Sequence, residues 1–223
     1  MQTTNRQLIQ IALDEDAAFN DLTAQATITA DATGNARITA KAAGILSGIT
    51  IANEVFSTID EKISCNWLLN DGDAVASGDI ICELSGSLRT LLAAERTALN
   101  FLQHLSGIAS ATNSFVIQLE GTDCQVADTR KTTPGMRRLE KQAVIDGGGI
   151  NHRMDLESGM LIKENHIQAC GSISDSIDAC SRQNNDVWIE VECETLSEVK
   201  EAVQACPDII LLDNMSTDRK SVV

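Results

Sequence analysis

The chain has 223 residues, a net charge of −15 at neutral pH, 43% hydrophobic residues and only 3% aromatic residues, with no Tyr. So acidic a protein is not a nonspecific nucleic-acid binder, and the scarcity of rings removes the platforms on which single-stranded bases stack. Seven cysteines without a CxxC pair fit neither a disulfide framework nor a zinc site. They suit reduced thiols in a cytoplasmic protein, and neither a secretory signal nor an apolar run long enough for a bilayer is visible.

Residues 3–20 carry Leu8, Ile9, Ile11, Ala12 and Leu13, a pattern that predicts a short helix ending near Asp14-Glu15-Asp16. From Ala26 to Leu84 the texture turns to β. Alternation around Ile38 and Ile81, with turns at Gly34, Gly72 and Gly78, predicts a small, mostly antiparallel sheet with a helix over Gly48 to Ile59 packed on it. Thr90 to Leu119 reads as the clearest helical region, with Leu99, Leu102, Leu105 and Ile108 or Ala109 at helical spacing. Gly107 is expected to break it, which places a domain boundary there: an N-terminal α+β domain over 1–106 and a second domain over 107–223.

The second domain reads as βα units. Apolar runs lead into charges at Asp128, Lys163, Glu192 and Asp213, spaced 35, 29 and 21 residues apart, which leaves room for a helix between parallel strands. Catalytic groups of (β/α) barrels sit at the carboxyl ends of strands, where these charges fall. The 117 residues from Gly107 to Val223 hold about four such units, short of the roughly 200 to 250 residues of a closed barrel. The expected fold class is therefore α/β and α+β: an N-terminal α/β sandwich-like domain followed by an incomplete (β/α) barrel, truncated in its C-terminal part. The polar end from Ser216 onward reads as the first turn of an unfinished helix.

Seven of the 17 Lys and Arg residues lie between Arg130 and Lys163. Arg130, Lys131, His152, Arg153 and Lys163 form a candidate anion site, since guanidinium forks and ammonium groups match carboxylates and phosphates. Arg137, Arg138 and Lys141 read as a solvated helix face, with a phosphate role open for one of them. Glu190, Glu192 and Glu194 alternate along a strand and share one face. With Asp213 ending the next strand, Glu192 and Asp213 could share Mg²⁺, which takes one or two protein carboxylates and completes its shell with water and substrate phosphates. His104 and His166 read as structural histidines, and Gly147-Gly148-Gly149 as a tight helix-to-loop turn.

These residues carry a resemblance. The segments Glu95-Arg96-Thr97-Ala98-Leu99-Asn100-Phe101-Leu102, Leu105-Ser106-Gly107-Ile108-Ala109, Asp128-Thr129-Arg130-Lys131-Thr132 and Pro134-Gly135-Met136-Arg137 closely resemble the quinolinate phosphoribosyltransferase family. So do Gly147-Gly148-Gly149-Ile150-Asn151-His152-Arg153, Leu161-Ile162-Lys163-Glu164-Asn165-His166-Ile167, Glu190-Val191-Glu192 and Leu211-Leu212-Asp213-Asn214. Asn20-Asp21-Leu22-Thr23 looks like the family's Gly-Asp-x-Thr with its glycine replaced.

The resemblance implies transfer of a phosphoribosyl group from phosphoribosyl pyrophosphate to quinolinate with decarboxylation. The products would be nicotinate mononucleotide, pyrophosphate and CO2, in de novo NAD biosynthesis. It implies that Arg130, His152, Arg153 and Lys163 hold the pyridine dicarboxylate, that Thr129 also binds substrate, and that Arg96 comes to the same site from the partner subunit of a homodimer or higher homo-oligomer. Lys131 would contact the phosphoribosyl donor, and Glu192 and Asp213 would position Mg²⁺ and the ribose diphosphate. The family usually has glycine and aspartate where this chain has Asp155 and Ser158, and its two Gly-rich phosphate loops lie beyond the Asp-Asn strand, so the chain is expected to lack them. The alternatives are a molybdenum-transport-associated paralogue, which should lack part of the dicarboxylate set, and an inactive binding or dimerisation protein.

Overall fold

The computed structural model describes residues 4–183, 186–216 and 218, and its contacts divide it into two units, Met1–His152 and Arg153–Val223. Most of the helical turn expected after Ser216 lies outside the described residues.

The first unit opens with α1 (Asn5–Glu15), closed by a capping box: the Thr4 hydroxyl accepts from the Gln7 N–H and the Gln7 side chain accepts from the Thr4 N–H. Ile9 and Leu13, four residues apart and therefore on one face, are fully buried. Asp21 caps the short α2 (Leu22–Thr27), its carboxylate accepting the Ala24 N–H at 2.9 Å. Then come β1 (Thr33–Thr39), β2 (Gly44–Ile45), α3 (Ile49–Ile59), β3 (Ser64–Trp67), β4 (Ala74–Val75) and β5 (Ile80–Ser87). As expected, the strands are antiparallel: one sheet in the order β1-β5-β3, and a small β2-β4 ribbon. The core joins Ile51, Val55 and Phe56 of α3 to Ile9, Leu13, Ile38 and Leu84. Each fully buried large side chain contributes about 1.5–3 kcal/mol.

A single helix, α4 (Leu88–Val116), crosses this core with Leu91, Ala94, Ala98, Leu102, Leu105 and Ala109 buried. Gly107 does not break it. A lone glycine costs a helix only about 1 kcal/mol, less than the burial of Leu105 and Ala109 on either side returns. The strand expected from the run that leads into Asp128, Cys124 to Ala127, does not form either. Residues 121–125 are exposed, and only Ala127 bridges, in parallel, to Ile150. The unit ends with α5 (Arg137–Asp146) and the glycine turn after it. Gly147 and Gly149 let α5 lie against α4, because a Cβ at either would collide with Ala109 or Thr112, and Gly148 turns the chain at φ +89°. The three glycines are a packing device.

The second unit is a βα succession: β6 (Met160–Ile162), α6 (Glu164–Cys170), α7 (Ile173–Gln183), β7 (Ile189–Cys193), α8 (Leu196–Ala205) and β8 (Ile209–Leu212). Its three strands are parallel in the order β6-β7-β8, as their spacing predicts. Ile162, Val191 and Cys193 of the sheet pack with Ile173 and Ile177 of α7 and Val199 and Ala202 of α8.

Candidate active site

Within the first unit the chemistry is organised around a buried ion pair. Lys141, expected at a solvated helix face, is 1% exposed, and its ammonium group pairs with Asp128, whose side chain is 7% exposed. The same ammonium donates to the His152 carbonyl at 3.0 Å, and the His152 N–H donates to Asp128 Oδ1 at 2.8 Å. Asn151, with its amide nitrogen turned toward the acceptors, donates to Asp128 Oδ2 at 2.6 Å and to the Lys141 carbonyl at 2.9 Å. Two backbone bonds, Ile150 N–H to Val126 O and Asp128 N–H to Ile150 O, complete the junction. Removing one partner of such a pair typically costs about 3–5 kcal/mol, because the other charge is left buried and uncompensated.

Two residues past Asp128 stands Arg130. Its Nε and Nη1 are buried and have no hydrogen-bond partner among the described residues. Native proteins rarely leave such donors unmet, and an anionic ligand is one way to meet them. The segment around it is fixed from both sides. The Arg137 guanidinium donates to Thr132 Oγ1 (3.0 Å) and to the Arg130 carbonyl (3.3 Å), and the Thr133 N–H donates to Glu140 Oε2 (3.1 Å). Glu140 also meets His104 Nε2 at 2.8 Å, which ties the segment to α4. Burial alone would raise the Glu140 carboxyl. Its hydrogen bonds with Thr133 and His104 outweigh burial and hold it below the usual carboxylate range. Thr129 Oγ1 accepts the Lys131 N–H at 3.0 Å, and the Lys131 side chain is exposed. Arg96 is exposed on α4, where it lines a depression of about 350 Å³ with His104, Asn100 and Met136.

The second unit carries the remaining candidates at the carboxyl ends of its strands. Lys163 follows β6 and pairs with Glu192 of β7, whose side chain is only 14% exposed. His166 is structural, as expected: its Nδ1 accepts the Lys163 N–H at 2.9 Å and closes the start of α6. Asp213 follows β8, its N–H donating to the Cys193 carbonyl at 3.0 Å, so Glu192 and Asp213 project from neighbouring strand ends. The three glutamates do not share one environment. Glu190 is 3% exposed and Glu194 lies beyond the strand. Arg153 Nη1 donates to the Gly159 carbonyl at 3.0 Å. Asp155 and Ser158 close the loop between them: Asp155 Oδ1 accepts from the Glu157 N–H, the Ser158 N–H and the Ser158 hydroxyl, each at 3.0 Å. The two buried thiols are no nucleophiles. Burial, reinforced by Cys65 and Glu83, pushes Cys82 up to about 12, and burial with Glu198 and Glu201 nearby pushes Cys193 up to about 11.

Comparison with known proteins bears on both units. Residues 21–106 match the family model for the quinolinate phosphoribosyl transferase N-terminal domain, and residues 108–222 match that for its C-terminal domain. The chain belongs to the quinolinate phosphoribosyltransferase family. It is 44% identical over 208 residues to the probable carboxylating nicotinate-nucleotide pyrophosphorylase of Bacillus subtilis, covering 92% of this chain and 71% of that protein. It is 39% identical to the decarboxylating quinolinate phosphoribosyltransferase 1b of Nicotiana tabacum, covering 93% of this chain and 62% of that protein. Among solved structures it is similar to NadC from Streptococcus pyogenes, with TM-score 0.92, 41% identity and coverage of 96% of this chain and 76% of that one. It is also similar to the nicotinate-nucleotide pyrophosphorylase from Francisella tularensis, with TM-score 0.94, 38% identity and coverage of 99% and 79%.

This is a family of carboxylating phosphoribosyltransferases of NAD biosynthesis. The motifs by which the chain resembles the quinolinate phosphoribosyltransferases fall on the two networks described above. Asp128, Asn151 and His152 belong to the one that Lys141 completes, with Arg130 two residues past Asp128, and Lys163, Glu192 and Asp213 to the strand ends of the other. Charge counting missed Lys141. Its neighbour Glu140 shares a helical stripe with Met136, Ala143 and Gly147, a signal that this part of α5 faces inward.

Proposed function

We propose that the chain binds quinolinate and phosphoribosyl pyrophosphate and supports ribosyl transfer coupled to decarboxylation, releasing pyrophosphate and CO2 and leaving nicotinate mononucleotide. The observation that carries this is the Arg130 guanidinium, two of whose nitrogens are buried and unmet among the described residues of a strongly acidic chain. A carboxylate accepts two parallel N–H bonds from such a fork. By the resemblance, Arg130, His152, Arg153 and Lys163 are assigned to the dicarboxylate, Thr129 to substrate binding, and Lys131 to the phosphoribosyl donor. The exposure of Arg96 supports its use by the partner subunit in a homodimer or larger homo-oligomer. Among the described residues no helix is long and apolar enough to cross a membrane, and the reading places the protein in the cytoplasm.

Glu192 and Asp213, hard oxygen donors on adjacent strand ends, suit Mg²⁺ carried by the diphosphate. The ion would neutralise charge on the leaving pyrophosphate. The carboxylates would stabilise the positive charge that develops at the ribose carbon as its bond to pyrophosphate oxygen breaks and its bond to the ring nitrogen forms. Lys163, paired with Glu192 in this structure, would exchange that carboxylate for one of the substrate's. The positive charge on the alkylated ring nitrogen then stabilises the electron pair left on the adjacent ring carbon as its bond to CO2 breaks, and that carbon takes up a proton.

The test is formation of nicotinate mononucleotide by the purified chain supplied with quinolinate, phosphoribosyl pyrophosphate and magnesium, alongside calorimetric titration with quinolinate. Product or binding that disappears in Arg130→Ala supports the reading. Absence of both from the folded wild-type chain refutes it.

A further inference from the structure

We propose that Lys141 is a positioning residue for dicarboxylate capture, acting through Asp128 and touching no substrate itself. The inference rests on the proposed function, and its geometry lies wholly within the first unit. Lys141 is 1% exposed, so its ammonium is not available to a ligand in solvent. Its acceptors are Asp128 and the His152 carbonyl, and the Asp128 carboxylate in turn receives the His152 N–H and the Asn151 amide.

This closed circuit joins residues 126–128, helix α5 and residues 150–152. The backbone link between the first and third is a single bridge, Ala127 to Ile150. No strand continues it among the described residues, so side chains act beside two backbone bonds in setting His152 against Asp128. Arg130 follows two residues after Asp128, and His152 is itself a member of the circuit, so one buried charge pair sets the backbone under both candidate dicarboxylate contacts. An apolar residue in place of Lys141 could fill the space; it could not pair with the Asp128 carboxylate that accepts the His152 N–H. A purely structural pair would look the same in the unliganded protein, and the difference lies in what survives when both charges are removed together.

Two variants of the full chain separate the cases. In Lys141→Met, Asp128 is stranded; in Lys141→Met with Asp128→Leu, neither charge remains, and such double replacements recover much of the stability lost in the single one. The positioning role predicts that the double variant regains most of the lost melting temperature but binds quinolinate at least tenfold more weakly than wild type by calorimetry. Lys141→Arg, which keeps the charge, should retain part of the affinity. Wild-type affinity in the double variant would overturn the inference. If the wild-type chain binds no quinolinate, the proposed function fails and the inference with it; if wild type binds and the double variant binds equally well, the inference alone fails.

Discussion

Replacing Arg130 with methionine should make the unliganded protein more stable while removing its ligand response. Two guanidinium nitrogens, Nε and Nη1, are buried without partners among the described residues, and each unmet donor costs about 1–3 kcal/mol. Methionine keeps an unbranched stem of similar reach and carries no donor. Part of the gain is offset by lost packing of the guanidinium plane, so the expected net stabilisation is about 1–2 kcal/mol relative to those donor costs. In a protein of this size that raises the melting temperature by about 2–8 °C, at roughly 2–4 °C per kcal/mol. The assay is thermal unfolding by circular dichroism with and without quinolinate. Wild type should gain about 2.7 kcal/mol from ligand at a hundred times its dissociation constant, and the variant should gain nothing. A variant that melts below wild type would show that the two nitrogens are satisfied in solution, and a variant that keeps the quinolinate-induced rise would remove Arg130 from the site. A residue that stabilises when deleted yet abolishes binding is the signature of a group kept for function at the expense of the fold.

Glu140 is held below the usual carboxylate range in the folded protein, so its contribution to stability is complete above the ordinary glutamate value and is lost as pH falls through the lowered one. Glu140→Gln should flatten the loss of stability on acidification below about pH 4, measured by urea unfolding across a pH series; an unchanged slope would argue against this. Gly147→Ala should destabilise the first unit by about 1–3 kcal/mol, because the new methyl group meets the Ala109 carbonyl and Thr112 side chain of α4. A melting temperature within a degree of wild type would show that α5 can move away.

The residues that face one way were legible in the sequence, and those whose environment depends on a distant segment were not. The helices over Asn5–Glu15 and Ile49–Ile59 follow from apolar spacing, and the parallel strands ending at Lys163, Glu192 and Asp213 follow from apolar runs that stop at a charge. Lys141 escaped because a lysine's burial is decided by its partner, here 13 residues away at Asp128. The stretch from Cys124 to Ala127 resembles the other strand-forming runs in composition, but residues 121–125 are exposed and form no strand. Gly107 was misread for the opposite reason: local propensity argued for a break, and the buried contacts of α4 overrode it. In the candidate site, the identity of the basic residues was plain from charge alone. That Asp155 and Ser158 are spent on closing their own loop emerges only from the fold.

The unbroken α4 also limits how the chain can change length. Arg96 and His104 are eight residues apart on it, roughly 12 Å along its axis. One inserted residue between them would rotate everything downstream by about 100°, swinging Leu105, Ala109 and Thr112 out of the core and His104 away from Glu140. Insertions and deletions are therefore barred from this stretch. The exposed residues 121–125 just beyond it can absorb them, and natural length variants should accumulate there.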